Sequence, residues 1–240
     1  MIDILGIAVL TLIAATVGTV SGFGTSTIMI PVLALFLPPA QAIFLVAVIH
    51  WFGDVWKVGL FREGFDLHLI GLFGLTGLVA SYLGATISLG ASESILLRLL
   101  GVFLVVYAIF LLLETRFKVP ASGFTALSGG ALSGFFAGLF GIGGAIRSLF
   151  LTAFDLPKAV YIATIGAIGV MVDSTRIITY VAGGLRLPSH WLWGLLVFVP
   201  VSFLGAKIGK RLVDRIPQSF FRRVVAVFLI TAGLKLLLFP

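Results

Sequence analysis

Apolar side chains run along this chain in long unbroken stretches, apolar all round, rather than in one-sided helical stripes or in alternation. Residues 96–113 carry a single Arg near their start, and 221–239 are nearly as apolar after an Arg pair. A membrane-spanning helix needs roughly 20 apolar residues rising about 1.5 Å each. Six segments meet that requirement: 40–56, 67–87, 95–113, 159–181, 191–206 and 221–239. An outer-membrane barrel is excluded, because its strands alternate polar and apolar over roughly ten residues.

Two further apolar stretches, 4–37 and 124–154, do not fit the same template. The first would measure about 51 Å as one helix, too long for an upright span and short for two plus a turn. Each is interrupted by glycine: Gly22-Phe23-Gly24 in the first and Gly141-Ile142-Gly143-Gly144 in the second. The arms that follow, 27–37 and 146–154, reach only about 16 and about 14 Å, well short of a core of about 30 Å. The pattern predicts two broken, re-entrant hairpins, each turning at its glycines and returning to the side it entered from.

A shift of 119 residues superimposes the chain on itself. Gly22-Phe23-Gly24 falls on Gly141-Ile142-Gly143, Leu37-Pro38 on Leu156-Pro157, Asp54 on Asp173, Lys57 on Arg176 and Gly64 on Gly183. With two residues inserted, Leu83-Gly84-Ala85 matches Leu204-Gly205-Ala206, and further on Arg98 matches Arg223. The expected organisation is two membrane repeats, 1–119 and 120–240, joined at the polar stretch 114–122. Internal repeats of this kind characterise secondary transporters. With three true spans per copy the second copy is inverted. Lys57, Arg62, Arg116, Lys118, Lys158, Lys207, Lys210, Arg211, Arg215, Arg222 and Arg223 then share one side, opposite Arg98 and Arg186, a strong positive-inside bias. Eight full spans would instead put the basic residues from Lys207 to Arg223 on the other side.

Composition agrees with lipid as solvent: 60% of the residues are hydrophobic and 10% charged, against about 25% charged in soluble domains. The net charge of +7 belongs to helix ends and does not imply nucleic acid. With no cysteine and three histidines, no metal centre is expected. There is no P-loop or nucleotide fingerprint, hence no cofactor, no catalytic residue and no enzyme. The start Met1-Ile2-Asp3 lacks the basic flank of a cleavable signal peptide, so the first apolar stretch is expected to stay.

The candidate chemistry lies at the breaks. Irregular backbone at membrane depth is tolerated where protein or a wet cavity satisfies it. Each short arm presents a half-helix N-terminus, whose free N–H groups and dipole favour an anion. Gly22, Gly24, Thr25, Ser26 and Thr27 from the first break, and Gly141, Gly143, Gly144 and Arg147 from the second, form the expected substrate site. Close helix packing through small residues is the competing reading. Arg147 stands in an otherwise apolar arm, where its repeat counterpart is Ile28. It needs a partner, either an anionic substrate or an internal carboxylate such as Asp173. Asp54 and Asp173 each precede a base by three residues, Lys57 and Arg176, on one helix face. They are either self-neutralising pairs or coupling carboxylates. His50, one turn before Asp54, is a candidate proton relay. Lys207 suits a snorkelling interface position, and Trp51, Trp56, Trp191 and Trp193 suit aromatic belts.

With two tandem units, Gly22-Phe23-Gly24 through Pro31, and Gly138-Leu139-Phe140-Gly141-Ile142-Gly143-Gly144, the chain resembles the TauE/SafE group of small membrane proteins over essentially its whole length. The chain departs from the group's pattern at Thr25-Ser26, where glycine is more usual, and at Phe150, where proline is common. The resemblance implies a transporter, by expectation an exporter, of sulfite, organosulfonate or a similar small sulfur-containing oxyanion. It would act as a multi-pass protein of a bacterial cytoplasmic membrane. The combined expectation is an all-α integral membrane protein of two inverted repeats, each a Gly-broken hairpin plus three transmembrane helices, alternating access around a central anion site. A passive anion channel, uptake of thiosulfate- or sulfate-type anions, and a non-transporting scaffold stay open. Expected partners are the anionic substrate and the bilayer, with a homodimer as an open option and no nucleic acid.

Overall fold

The computed structural model describes residues 3–21, 23–113, 119–212 and 218–239, with helix positions 21 and 218–222 described by their backbone alone. Among these residues it is all-helical, in an order that recurs once. A helix of 18 residues, α1 (Ile4–Ser21), is followed by an eight-residue helix, α2 (Ser26–Leu33), and then by α3 (Pro39–Leu60), α4 (Leu67–Gly90) and α5 (Glu93–Leu113). The sequence of lengths returns as α6 (Gly123–Phe140), α7 (Gly144–Leu151), α8 (Lys158–Ala182), α9 (Ser189–Leu212) and α10 (Gln218–Leu238).

Local chemistry sets the boundaries. Pro39 opens α3 and Pro157 immediately precedes α8, where a missing N–H costs nothing and φ is already helical. The Asp66 carboxylate accepts from the Leu69 N–H at 2.9 Å and the Ser122 hydroxyl from the Thr125 N–H at 3.1 Å, satisfying end groups with no intrahelical partner. Gly141 closes α6 at φ 77°, in the left-handed region, which glycine enters without strain.

Six described helices, α3, α4, α5, α6, α8 and α9, are long and apolar enough to cross a membrane by length and composition. Five coincide with segments expected from sequence. The sixth differs: α6 lies in the stretch 124–154 that had been set aside. The arm before each break is a helix of 18 residues, about 27 Å long. Only the arms after the breaks are short. Side chains such as Leu75, Val79, Ile95, Val106, Trp193 and Leu196 point outward, as the lipid face of such helices requires.

The two halves interlock. α6 packs on α4, and α1 on α9. Along α4 and α6 the backbones touch, with a Cβ at Gly134 falling 2.6 Å from the Gly77 Cα and one at Gly138 falling 2.7 Å from the Ala85 N. Facing numbers rise together, so the two helices are parallel. Numbers also rise together between α1 and α9, where Gly205 meets Leu12 and Thr16, and Gly209 meets Thr16 and Thr19. α4 and α8 are parallel too: the Asp66 N–H donates to Thr164 Oγ1 at 3.0 Å, the Ser81 hydroxyl to the Val172 carbonyl at 3.1 Å, and Leu89 lies against Gly183. α3 and α8 run opposite ways, with His50 against Asp173 but Lys57 against Gly166. The ends of α3 and α9 meet where Lys210 Nζ donates to the Leu60 carbonyl at 2.5 Å and sits 5.0 Å above the Phe61 ring.

Candidate functional site

α3 and α8 pack against each other and carry most of the buried ionisable cluster. His50, Asp54 and Lys57 project from α3, Asp173 and Arg176 from α8, and Arg147 from α7, and each is at most 3% exposed. The i, i+3 spacing does what it predicts on a helix. Lys57 Nζ reaches Asp54 Oδ1 at 2.7 Å, and Arg176 Nε reaches Asp173 Oδ1 at 2.8 Å.

Two contacts, His50–Asp173 and Arg147–Asp54, run between the halves. His50 Nδ1 lies 2.5 Å from Asp173 Oδ2 and 3.5 Å from Asp54 Oδ2, linking both carboxylates. Arg147 Nη1 donates to the Ile165 carbonyl at 3.1 Å and comes to 4.0 Å from Asp54 Oδ2. The carboxylate facing Arg147 is thus Asp54, where sequence had offered Asp173. Arg176 Nη1 donates to the Ala137 carbonyl at 3.4 Å, which neutralises the negative end of α6 at its break.

The breaks meet each other beside this cluster. A Cβ on Gly144 would lie 3.0 Å from the Phe23 carbonyl carbon and 3.5 Å from the Gly24 Cα, so the start of α7 abuts the first break. Gly24 has φ 84°, and a Cβ on it would lie 2.5 Å from His50 Nε2. Gly141 faces Arg176, its hypothetical Cβ 2.8 Å from Nη1. Thr25, Ser26 and Thr27 are buried, with Thr27 Oγ1 donating to the Phe23 carbonyl at 2.8 Å. Gly143 packs against Ser133 and Ala137 of α6. Gly22 lies outside the described residues. Of the expected site, the structure brings together Gly24, Gly144, His50, Asp54, Arg147, Asp173, Gly141 and Arg176 in one set of contacts.

The electrical balance is uneven. Lys57, Arg147 and Arg176 face two carboxylates, one positive charge in excess with His50 neutral. Five buried polar atoms have no hydrogen-bond partner among the described residues: Ser26 Oγ, His50 Nε2, Arg147 Nε and Arg176 Nη2, and the acceptor Asp54 Oδ2, which has His50 Nδ1 at 3.5 Å and Arg147 Nη1 at 4.0 Å. A buried cation or donor without a partner is costly. The set therefore fits a small bound anion. His50, Asp54 and Asp173 also stand close enough to ligate a cation. Each carboxylate already holds an Arg or Lys, however, so a divalent ion would face three positive side chains.

One residue escaped sequence reasoning. Gly169, the repeat counterpart of His50, leaves the space in which Arg147 reaches Asp54: a Cβ there would fall 2.7 Å from both Arg147 Nη1 and Asp54 Cγ. Lys57 pairs with Asp54 as its spacing suggested, and through Asp54 it joins the wider charge network. The exchange of Ile28 and His50 in one half for Arg147 and Gly169 in the other was visible in the 119-residue shift, had the two changes been read as one. Trp51 and Trp56 also do more than mark an interface, donating to Ser174 Oγ at 2.8 Å and Ser202 Oγ at 3.1 Å across the halves.

Comparison with known proteins places this arrangement. The family model described as sulfite exporter TauE/SafE matches residues 7–236. Over 74 residues the chain is 35% identical to a protein of Comamonas testosteroni described as a probable inner membrane transporter protein, TsaS; the match covers 31% of this chain and 31% of that relative.

Proposed function

The chain belongs to the sulfite exporter TauE/SafE family, and from that premise we propose how it works. It is a transporter of the sulfite and organosulfonate type rather than an enzyme. Our reading is that it is a secondary transporter, working as an exporter of small sulfur-containing oxyanions across a bacterial cytoplasmic membrane. The anion binds where the two breaks converge, and access alternates as one repeat moves against the other. The inner-membrane description of the relative from Comamonas testosteroni supports the location.

The observation that carries the reading is the unmatched positive charge, with Ser26 Oγ, His50 Nε2, Arg147 Nε and Arg176 Nη2 unpartnered among the described residues, beside two converging half-helix N-termini. Gly24, Thr25, Ser26 and Thr27 would offer backbone and hydroxyl donors from one side; Gly141, Gly143, Gly144 and Arg147 would close the other. Gly22 belongs to the same proposed set. Arg147 would bind the anion through its planar guanidinium. Asp54, Asp173, His50 and Arg176 would couple or gate.

The inverted division into 1–119 and 120–240 rests on helix direction. Parallel α4 and α8, antiparallel α3 and α8, and the meeting of Lys210 with Leu60 suit three spans per repeat. Eight full spans would make α4 and α8 antiparallel. Alternation is supported by a difference between the halves. Gly84 faces the Phe135 carbonyl and the Leu139 N–H group, whereas its counterpart Gly205 faces the Leu12 carbonyl and the Thr16 N–H group. By the repeat shift that is four residues, about 6 Å, so α1 sits one turn further along α9 than α6 does along α4. An alternating-access cycle would exchange such an offset.

Proteoliposomes loaded with sulfite or an organosulfonate test this. Saturable flux, accelerated by the same anion on the opposite side and reduced at least tenfold by Arg147→Gln, is expected. Flux without counter-flow stimulation would make the protein a channel. No flux of sulfite, sulfonate or thiosulfate would remove the transport reading.

A further inference from the structure

Among the described residues, His50 is the one titratable side chain that touches both carboxylates and a break. It has no equivalent in the second half, where Gly169 stands. Its Nδ1, 2.5 Å from Asp173 Oδ2, is held as the proton-bearing nitrogen by that acceptor. The proton that can come and go is therefore the one on Nε2. That nitrogen is buried, has no hydrogen-bond partner among the described residues, and sits against Gly24.

We propose that His50 Nε2 takes up one proton with each anion bound at the break, making the protein a proton–anion cotransporter. This rests on the transport reading above. With Nε2 unprotonated, its lone pair faces the place where the anion's oxygens would lie. With Nε2 protonated, an N–H points there instead. Anion and proton then strengthen each other's binding, and the strengthening is reciprocal.

The groups facing the ring set the balance. Asp54 from α3 and Asp173 from α8 contact its Nδ1; Lys57, Arg176 and Arg147 are held on those carboxylates; and Gly24 of the first break lies against its Nε2. The two carboxylates lie 2.5 and 3.5 Å from Nδ1, and three cations stand on them. An arriving anion tips that balance toward the protonated ring. Without the anion the site carries one excess positive charge. Binding a monoanion together with a proton leaves that excess unchanged, so the loaded and empty carriers present the same buried charge. The transported unit, one proton and one monoanion, is electroneutral. Flux then follows the combined proton and anion gradients and not the membrane potential, and export proceeds where the outward anion gradient exceeds the inward proton gradient.

The test needs an anion with no titratable proton of its own, and methanesulfonate and sulfate are suitable near neutral pH. Calorimetric binding of each to the detergent-solubilised wild-type protein, in two buffers of different ionisation enthalpy at pH 7.5, should report close to one proton taken up per anion. In proteoliposomes, inward methanesulfonate flux should acidify the lumen one-for-one and be unmoved by a valinomycin–potassium potential. In His50→Gln, the anion should still bind, at least tenfold more weakly, with no proton uptake. Measurable anion binding or flux with no proton in the wild type would overturn the inference and leave the transporter reading standing. So would a His50→Gln protein that keeps the wild-type proton ratio. Absence of all sulfite and sulfonate flux would remove both. Should His50→Gln fail to fold, the wild-type buffer comparison alone decides.

Discussion

Replacing Lys57 with methionine removes a charge that need never touch the anion, yet the charge network predicts weaker binding. Lys57 Nζ neutralises Asp54 Oδ1 at 2.7 Å, while the other Asp54 oxygen stands 4.0 Å from Arg147. Without Lys57 the site's excess of one positive charge disappears, and Asp54 draws Arg147 toward itself. At an effective dielectric of about 20, a unit charge about 8 Å away is worth about 2 kcal/mol, or about thirtyfold in anion affinity. Stability should also fall by about 3–5 kcal/mol, the cost of breaking one side of a buried pair. The double change Lys57→Met with Asp54→Asn returns the excess to one positive charge and releases Arg147. Affinity should recover to within about threefold of wild type. Calorimetric titration of sulfite or methanesulfonate into the folded, monodisperse fraction reads the affinity, and thermal unfolding in the same detergent reads the stability. A double variant as weak as the single one, or a single variant with unchanged affinity, would refute the idea that Arg147 is shared between Asp54 and the anion.

Two smaller predictions follow from close approaches. Gly169→Ala places a methyl on Arg147 Nη1 and Asp54, so anion affinity should fall at least tenfold while the fold survives; unchanged flux would show that Arg147 does not use this space. Gly138→Val drives side-chain atoms into the Ser81 carbonyl and the Ala85 N–H group on α4. It should cost about 1–3 kcal/mol or more by unfolding in detergent, and an unaltered midpoint would contradict the backbone contact of α4 and α6.

How much of this was legible in the sequence depends on the range of the interaction. Span positions follow from runs of apolar residues, which act locally through the lipid, and α3, α4, α5, α8 and α9 fall where the pattern put them. The glycine breaks and their short second arms are equally local. The length of α6 was not anticipated, because Ser and Gly along 123–140 dilute its hydropathy while the contact with α4 favours small residues. The pairs Asp54–Lys57 and Asp173–Arg176 were readable from spacing alone. That His50 reaches across to Asp173, or that Arg147 approaches Asp54 rather than Asp173, depends on how α3, α7 and α8 cross. No single helix contains that information, although the Ile28/His50 and Arg147/Gly169 exchange hinted at it.

The account stands or falls on where the anion sits. A structure determined with sulfite, or with selenate to give an anomalous signal, tests it most directly. The account predicts one ordered oxyanion between the Gly24–Thr27 and Gly141–Arg147 stretches, within hydrogen-bond reach of Ser26 Oγ, His50 Nε2 or Arg147 Nε. Density away from both breaks and from Arg147 would contradict it.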